Sequence, residues 1–221
     1  HIAFIMDGNN RWSKKNNFTL YNGYKKGAKQ ILNLTKFIFT NTKSNYVSAF
    51  ALSKNNLYRS KRLISILKKL LLEFIDDINN QKFSLDFNVR FVGDKSFLDK
   101  GIIKKIDLLE NTVNKNKKFL IIYINYSGKD DIKQAAHNYH SVLKVSKKNK
   151  YKFEDFLLTK NIPDPDILIR TGGYSRLSDF IIYQSSFSEL FFSNKLWPDF
   201  KTTDLLNIIN KYYFLERKFG L

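Results

Sequence analysis

A carboxylate, a glycine, two amides and an arginine follow one another near the start of the chain. They lie in the stretch MDGNNRW, directly after the apolar run IAFIM of residues 2–6. Asp7 could hold a divalent cation, Gly8 would let the backbone approach phosphate oxygens, and Arg11 offers a bidentate fork to a phosphate. The stretch therefore indicates a site for a diphosphate and a metal ion. An ordinary turn is the alternative, because asparagine and glycine are common in turns.

A second group of anion-binding side chains occurs in DILIRTGGYSRLSDF, residues 166–180. Its apolar part predicts a short buried strand, which Arg170, Arg176 and two hydroxyl side chains follow. Two arginines beside a double glycine suit a phosphate pocket. The alternative is a loop in which Arg170 pairs with Asp166 or Asp179. The sequence contains neither a Walker A pattern nor G-x-G-x-x-G, so a nucleoside triphosphate or a dinucleotide is a poor candidate for the ligand.

Apolar residues recur with two different periods along the chain. Strand-length runs predict strands at 2–6, 46–52, 86–94, 119–125, 166–170 and 189–192. Helical spacing predicts helices over 21–40, 61–78, 96–114, 129–146, 153–159, 177–187 and 203–218. Strands that alternate with helices indicate an α/β domain with a mostly parallel central sheet flanked by helices. The length favours one domain over residues 1–221.

The predicted architecture supports a ligand-binding role for the polar residues at the strand ends. In open parallel sheets, ligands bind beyond the carboxyl ends of the strands. Asp7 and Arg170 each follow a predicted strand, and Ser53, Asn56 and Arg59 follow another. Three strand ends therefore carry groups that could bind an anion, and we expect them to meet at one edge of the sheet.

Composition limits the classes of partner. Lys and Arg number 38 against 20 Asp and Glu, a formal net charge of +18, which favours nucleic acid, phosphorylated metabolites or an anionic membrane surface. A solvated surface rich in lysine and asparagine explains most of this charge equally well. The absence of cysteine excludes disulfides, thiolate metal sites and cysteine nucleophiles, and fits a reducing compartment. No apolar run approaches the ~18 residues that a membrane span needs.

Four stretches of the chain together resemble one enzyme family. They are HIAFIMDGNNRW, RTGGYSRLSDF, ELFFSNKLWPDF and ERKFG, and they occur in the family's order over essentially all 221 residues. The chain resembles the cis-prenyltransferases, and among them the bacterial undecaprenyl diphosphate synthases most closely.

The resemblance implies a fold, a reaction and partners. The fold would be a parallel-type sheet flanked by helices, with an apolar product tunnel, and the enzyme would work as a homodimer. It would add isopentenyl diphosphate units to an allylic diphosphate such as farnesyl diphosphate, with Mg²⁺. The product would be a Z-polyprenyl diphosphate such as undecaprenyl diphosphate, a lipid-carrier precursor for cell-wall glycans. We expect a cytoplasmic protein with peripheral membrane contact when product leaves, and no nucleic-acid partner.

The resemblance also implies roles for individual residues. Asp7 would bind Mg²⁺ together with Glu189 and help the allylic diphosphate to leave, and Asn56 would help to remove a proton. Residues that would bind the allylic substrate or belong to the middle loop are Gly8, Asn9, Asn10, Arg11, Trp12, Ser53, Asn56 and Arg59. Residues that would hold isopentenyl diphosphate are Arg170, Arg176, Leu177 and Ser178. Lys218 and Gly220 would reach the partner subunit's site.

The chain departs from the family's usual pattern at several positions. The family usually has arginine at Leu20, histidine at Tyr24, tryptophan at Leu57 and glutamate at Tyr174. The further departures are Asn55 for glutamate, Ser60 for proline and Lys218 for arginine. Because the charged and polar residues named above are kept, an active enzyme is favoured. The alternatives are an inactive subunit that supports another prenyltransferase and, on charge alone, a basic nucleic-acid-binding protein.

Overall fold

The computed structural model describes residues 1–57, 61–79, 86–111, 115, 117–145 and 150–216. The strands are β1 (Ile2–Ile5), β2 (Tyr46–Phe50), β3 (Asn88–Val92), β4 (Phe119–Tyr123), β5 (Ile167–Arg170) and β6 (Glu189–Phe192). The helices are α1 (Asn9–Lys15), α2 (Leu20–Asn41), α3 (Lys54–Leu57), α4 (Lys61–Asn79), α5 (Lys100–Asn111), α6 (Gly128–Val145) and α7 (Thr202–Tyr213). Short 3₁₀ helices cover Phe153–Phe156 and Trp197–Asp199.

The six strands form one sheet in the order β3-β4-β2-β1-β5-β6. Every neighbouring pair is parallel, as the alternation of strands and helices predicts. At the centre, Ile5 of β1 is level with Phe50 of β2 and with Arg170 of β5. The ends of these three strands therefore lie side by side, so the residues that follow them can share one site.

Helices cover both faces of the sheet and divide the core into two layers. Ile2 and Phe4 belong to one layer, together with residues of α2, α5 and α7. Ala3 and Ile5 point into the other, which also contains Tyr123, Tyr126 and Phe180. Successive strand residues face opposite sides. Since both sides of β1 are covered, all four of its residues are buried, and its sequence is an unbroken apolar run.

All six predicted strands are confirmed, and most helix predictions are correct to within a few residues. Residues 9–15, where a turn was the alternative to a ligand site, form α1. The helix predicted over 153–159 is shorter, a 3₁₀ helix over Phe153–Phe156. The predicted helix over 96–114 begins only at Lys100, and its last three residues lie outside the described part of the chain.

The helix predicted over residues 177–187 is wrong, because these residues form turns. Ser178, Asp179 and Ile181 have φ values of 51°, 67° and 33°, which no right-handed helix accommodates. The cause is tertiary. Asp179 is bound to the start of α6, where its carboxylate accepts hydrogen bonds from the Lys129 amide at 2.9 Å and the Ser127 hydroxyl at 2.5 Å.

None of the described helices combines the length and the apolar character that a membrane span requires.

Phe180 holds this turn segment onto the sheet, and its truncation tests that role. Its ring is fully buried, stacked on Phe50 at 4.5 Å and edge-on to Tyr123 at 5.0 Å between centroids. We expect Phe180→Ala to lower the free energy of unfolding by about 3–5 kcal/mol, because the ring leaves a cavity that the sheet cannot fill. Urea denaturation of the parent and the variant measures this change in the free energy of unfolding. Phe187→Ala, which truncates a ring that is 66% exposed, is the control; equal effects of the two would contradict this packing.

Candidate active site

Asp7 and Arg170 meet beyond the carboxyl ends of β1 and β5. The Arg170 Nη2 donates to Asp7 Oδ2 at 2.9 Å, and Arg170 is almost fully buried. The sequence left open a pairing with Asp166 or Asp179 instead. Asp166 accepts a hydrogen bond from the Tyr212 hydroxyl at 3.4 Å, and Asp179 binds the start of α6. Arg170 therefore belongs to the site at the strand ends.

Two glycines allow Arg11 to reach the same carboxylate. The Arg11 Nη2 lies 3.3 Å from Oδ1 of Asp7, which precedes α1 by two residues and Arg11 by four. Gly8 has a φ of 119°, and a Cβ there would lie 2.9 Å from the Cα of Leu196. A Cβ on Gly172, with a φ of 87°, would lie 2.5 Å from Arg11 Nη2. These glycines are thus required for Asp7 to sit between two arginines.

Arg170 also fixes the loop that follows β5. Its Nη1 donates to the Arg176 carbonyl at 2.5 Å and to the Ser178 hydroxyl at 2.6 Å. Both terminal nitrogens of Arg170 therefore already donate to protein acceptors. Arg170 consequently orients its neighbours, and the Arg176 side chain and the Ser178 hydroxyl are better placed to contact a ligand directly.

A cavity of about 830 Å³ opens beside these groups. Its polar lining contains Asp7, Gly8, Asn9, Asn10, Arg11, Ser53, Asn55, Asn56, Arg170, Tyr174, Arg176, Ser178 and Asp179. Its apolar lining includes Ile31, Leu52, Leu67, Leu70, Leu71, Phe74, Phe97, Leu98, Leu120, Ile122 and Ile124. The cavity could thus hold a molecule with an anionic head and an apolar body.

Three of the expected site residues lie elsewhere. The Trp12 indole is buried away from the cavity, stacked on Phe18 at 5.3 Å, and donates to Asp199 at 2.8 Å. Leu177 packs against the core beneath the loop. Arg59 lies outside the described residues, as do Lys218 and Gly220.

Glu189 is the third expected site residue that lies elsewhere, after Trp12 and Leu177. Within one protomer it does not lie beside Asp7. Its register partner is Ile167, which is level with Ile2, so it lies at the amino edge of the sheet. That is roughly 10 Å behind the end of β1 along the strand direction, with β5 in between. Among the described residues, no group of three His, Cys, Asp or Glu side chains could hold a metal. Of the two expected metal ligands, the cavity contains Asp7.

Three further side chains belong to the site although none was among the predicted site residues; Tyr24 and Tyr174 were noted only as departures from the family's usual pattern. Tyr24 lines the cavity, and burial together with the negative charge of Asp7 raises the pKa of its phenol. Thr171 is fully buried and donates to the Asp7 carbonyl at 2.8 Å. Tyr174 lies 5.1, 5.7 and 4.2 Å from the guanidinium carbons of Arg11, Arg170 and Arg176. The position of Tyr174 between two arginines in the sequence is the signal that could have found it.

Comparison with known proteins identifies the family. The model of a family described as putative undecaprenyl diphosphate synthase matches residues 5–220. The chain belongs to this family, the cis-prenyltransferases. An isoprenyl transferase of Thermotoga maritima is 36% identical over all of this chain and 96% of its own length. A tritrans,polycis-undecaprenyl-diphosphate synthase (geranylgeranyl-diphosphate specific) of Pyrobaculum aerophilum is also 36% identical, over all of this chain and 95% of its own.

A solved structure agrees with the family assignment. Lavandulyl diphosphate synthase from Lavandula x intermedia, in complex with dimethylallyl diphosphate, superposes with a TM-score of 0.88 at 30% identity, covering 100% of this chain and 98% of its own. The chain is therefore an enzyme of the polyprenyl diphosphate synthase kind, with the family's α/β fold, and its family acts on allylic diphosphates.

The start of α2 generates a prediction about substrate affinity. Leu20 stands where the family usually has an arginine, and it lies four residues before Tyr24 on the same face of α2. Lys25 and Lys26 are nearby cations that could replace the charge of the missing arginine, but both have other partners. The Lys25 ammonium lies 3.1 Å from Glu73, and the Lys26 ammonium lies 4.1 Å from the Trp12 ring centroid. We expect Leu20→Arg to lower KM for an allylic diphosphate severalfold and to raise kcat/KM more than kcat, since a charged hydrogen bond would form before bond cleavage.

Steady-state kinetics of the parent, Leu20→Arg and Leu20→Gln measure this effect. Glutamine is polar but uncharged, so it separates the charge from the loss of the leucine. Unchanged or reduced kcat/KM in Leu20→Arg would mean that the pocket has been rebuilt around leucine.

Proposed function

We propose that this enzyme adds isopentenyl diphosphate units to an allylic diphosphate, with farnesyl diphosphate as primer, and makes a Z-polyprenyl diphosphate such as undecaprenyl diphosphate. One observation carries the proposal. The lining of the cavity combines an arginine-rich part around Asp7, called the mouth below, with a large apolar part. An allylic diphosphate has the matching division, with a diphosphate at one end and a hydrocarbon chain at the other.

The mouth offers separate groups for two diphosphates. Arg11, with Asn9 and Asn10, lies on the α1 side, where the allylic diphosphate would bind. Arg176 and Ser178 lie on the loop after β5, where isopentenyl diphosphate would bind. Two diphosphates repel one another, so cations are needed at both positions. Because the cations are in place before the reaction, they stabilise charge as it develops on the leaving group.

In the proposed reaction the allylic C–O bond breaks and its electron pair leaves with the diphosphate. The π electrons of the isopentenyl double bond form a C–C bond from its terminal carbon to the allylic carbon. A proton then leaves the adjacent carbon of the isopentenyl unit, and the electrons of that C–H bond form the new Z double bond. The free diphosphate and that proton are the by-products. Asn56 lines the same cavity. A side-chain amide is too weak a base to accept a proton at neutral pH. Asn56 would therefore orient the oxygen atom that accepts the proton.

Magnesium fits the residues around Asp7 if the substrate supplies most of its ligands. Mg²⁺ in proteins is usually held by one or two carboxylates together with phosphate oxygens and water. Asp7 lines the cavity, and its side chain is partly exposed there. Mg²⁺ bound by Asp7 and a diphosphate would neutralise charge on the leaving group. The neighbouring arginines would hold the remaining diphosphate oxygens.

Product analysis tests the proposal directly. Purified protein is incubated with farnesyl diphosphate, labelled isopentenyl diphosphate and Mg²⁺, and the extracted polyprenols are sized. Products lengthened by five-carbon steps with Z geometry would support it. If no product forms with farnesyl, geranylgeranyl or dimethylallyl diphosphate as primer, the proposal is contradicted. That result would favour an inactive subunit that supports another prenyltransferase.

The carboxylate of Asp7 should be essential for prenyl transfer. We expect Asp7→Ala to lower turnover by at least ~10²-fold, because the group that places the metal and both arginines is lost. Asp7→Asn keeps an acceptor for the buried Arg170 and should be as inactive while remaining folded. Asp107→Ala, at an exposed position on α5, is the control. Near-normal turnover in Asp7→Asn would contradict the essential role assigned to the Asp7 carboxylate.

We also propose that the enzyme is a homodimer through the edge of the sheet at β6. Leu190 and Phe192 project from the same face of this edge strand, and each is 42% exposed. Exposed apolar residues on an unpaired strand usually mark an interface. The tail ERKFG, which the resemblance assigns to the partner's site, extends beyond the described residues.

Light scattering tests the dimer. We expect about twice the monomer mass of 26.1 kDa for the parent protein. Phe192→Asp should shift the protein to monomers because it buries a charge in the interface. Leu108→Asp, which changes an exposed leucine on α5, should leave the mass unchanged. A monomeric parent at assay concentrations would overturn the proposal.

A product of many isoprene units is far more apolar than its substrates. The proposal therefore includes transient contact with a membrane surface when product leaves, and no nucleic-acid partner.

A further inference from the structure

Three guanidinium groups surround one aromatic ring at the mouth of the cavity. The guanidinium carbons of Arg176, Arg11 and Arg170 lie 4.2, 5.1 and 5.7 Å from the centroid of the Tyr174 ring. All three distances are within the ~6 Å over which a cation is attracted to a ring face. Tyr174 lines the cavity and is 42% exposed, so the ring faces the space where a ligand would bind.

The three arginines come from separate parts of the chain and repel one another. Arg11 lies on α1, Arg170 ends β5, and Arg176 lies in the loop that follows. Asp7 offsets part of this repulsion, since it contacts Arg11 and Arg170. Arg176, which is exposed, lies over the Tyr174 ring. The ring thus connects this arginine to the two that Asp7 contacts.

A ring holds cations differently from a carboxylate. A carboxylate accepts the N–H groups of a guanidinium and so competes with a phosphate for the same donors. A ring face attracts the positive charge through its quadrupole and leaves the N–H groups at the edge of the guanidinium plane available. Arginines gathered in this way are already in place when a diphosphate arrives, which lowers the cost of ordering them on binding.

The backbone before Tyr174 fixes the ring in position. Gly172 and Gly173 have φ values of 87° and 78°, and their amides donate to the carbonyls of Lys195 at 2.8 Å and Ser193 at 2.9 Å. The double glycine therefore turns the chain sharply after β5 and anchors it to the segment after β6. The turn brings Tyr174 back over Arg170.

We propose that Tyr174 is a positioning residue for diphosphate binding: its ring gathers the three arginines and keeps the N–H groups of Arg11 and Arg176 available for diphosphate oxygens. The inference rests on the proposed function for the identity of the substrates. The role belongs to the ring face, so the phenol hydroxyl is dispensable.

Calorimetric titration with inorganic pyrophosphate, without Mg²⁺, tests the proposal independently of turnover. The variants are Tyr174→Phe and Tyr174→Trp, which keep a ring, and Tyr174→Leu, which removes it. We expect the ring-keeping variants to bind within about twofold of the parent, and the leucine variant about fivefold to thirtyfold more weakly, because Arg11 and Arg176 would then be ordered only when pyrophosphate binds. Tyr183→Leu, which removes another partly exposed ring that does not line the cavity, should bind like the parent.

Steady-state kinetics provide a second readout. In Tyr174→Leu we expect KM for isopentenyl diphosphate to rise by a similar factor while kcat stays within about twofold, because the ring acts on ground-state binding and on the transition state equally. Thermal unfolding checks that each variant is folded. If the leucine variant does not fold, Tyr174→Gln replaces it as the variant without a ring.

Two results would overturn the proposal. One is pyrophosphate binding by the ringless variant that equals the parent's. The other is a loss in Tyr174→Phe as large as in Tyr174→Leu, which would assign the effect to the hydroxyl. A parent that binds pyrophosphate but transfers no prenyl group would contradict the proposed function alone, since the pyrophosphate titration would still decide the role of the ring.

Discussion

The ion pair between Asp7 and Arg170 is the interaction on which the site depends. Burying a guanidinium is costly unless it is paired, and both terminal nitrogens of Arg170 are paired, with Asp7, the Arg176 carbonyl and the Ser178 hydroxyl. Its Nε has no hydrogen-bond partner among the described residues. One side chain thereby joins the end of β1 to the loop after β5. The parallel pairing of β1 with β5 makes the contact possible, because it places Ile5 and Arg170 at the same level of the sheet. Arg11, the Arg176 carbonyl and the Ser178 hydroxyl all contact a member of this pair.

The same pair sets the electrostatic problem of the site. A pocket for two diphosphates needs several cations close together, and in the empty pocket those cations repel. Asp7 reduces the repulsion from one side and also supplies the carboxylate that suits Mg²⁺. Tyr174 offsets it from the other side without adding a negative charge. The arrangement therefore keeps a positive potential toward the cavity, which favours binding of an anion.

The apolar half of the cavity follows from the helices that cover the sheet. Leu67, Leu70, Leu71 and Phe74 lie at helical spacing along α4 and face inward. On a packed helix, such a stripe would fill the core. Here it borders the cavity, which Leu120 and Ile122 of β4 also line. A surface of this kind shelters hydrocarbon from water, and its union with an arginine-rich mouth is what relates the structure to the chemistry of prenyl diphosphates.

The sequence by itself determined the strands, the alternation that makes the sheet parallel, and the two clusters of anion-binding residues, because these depend on local periodicity and residue type. It also carried the family resemblance. It did not determine the partner of Arg170, since Asp7 and Arg170 are brought together only by strand register. The turns over residues 177–187 have helix-like apolar spacing, but the capture of Asp179 by α6 prevents a helix. Trp12 and Glu189 stand in motif positions, yet packing against Phe18 and the register of β6 keep them out of the cavity that Asp7 lines. Tertiary structure decided these points because each depends on contacts between residues far apart in the chain.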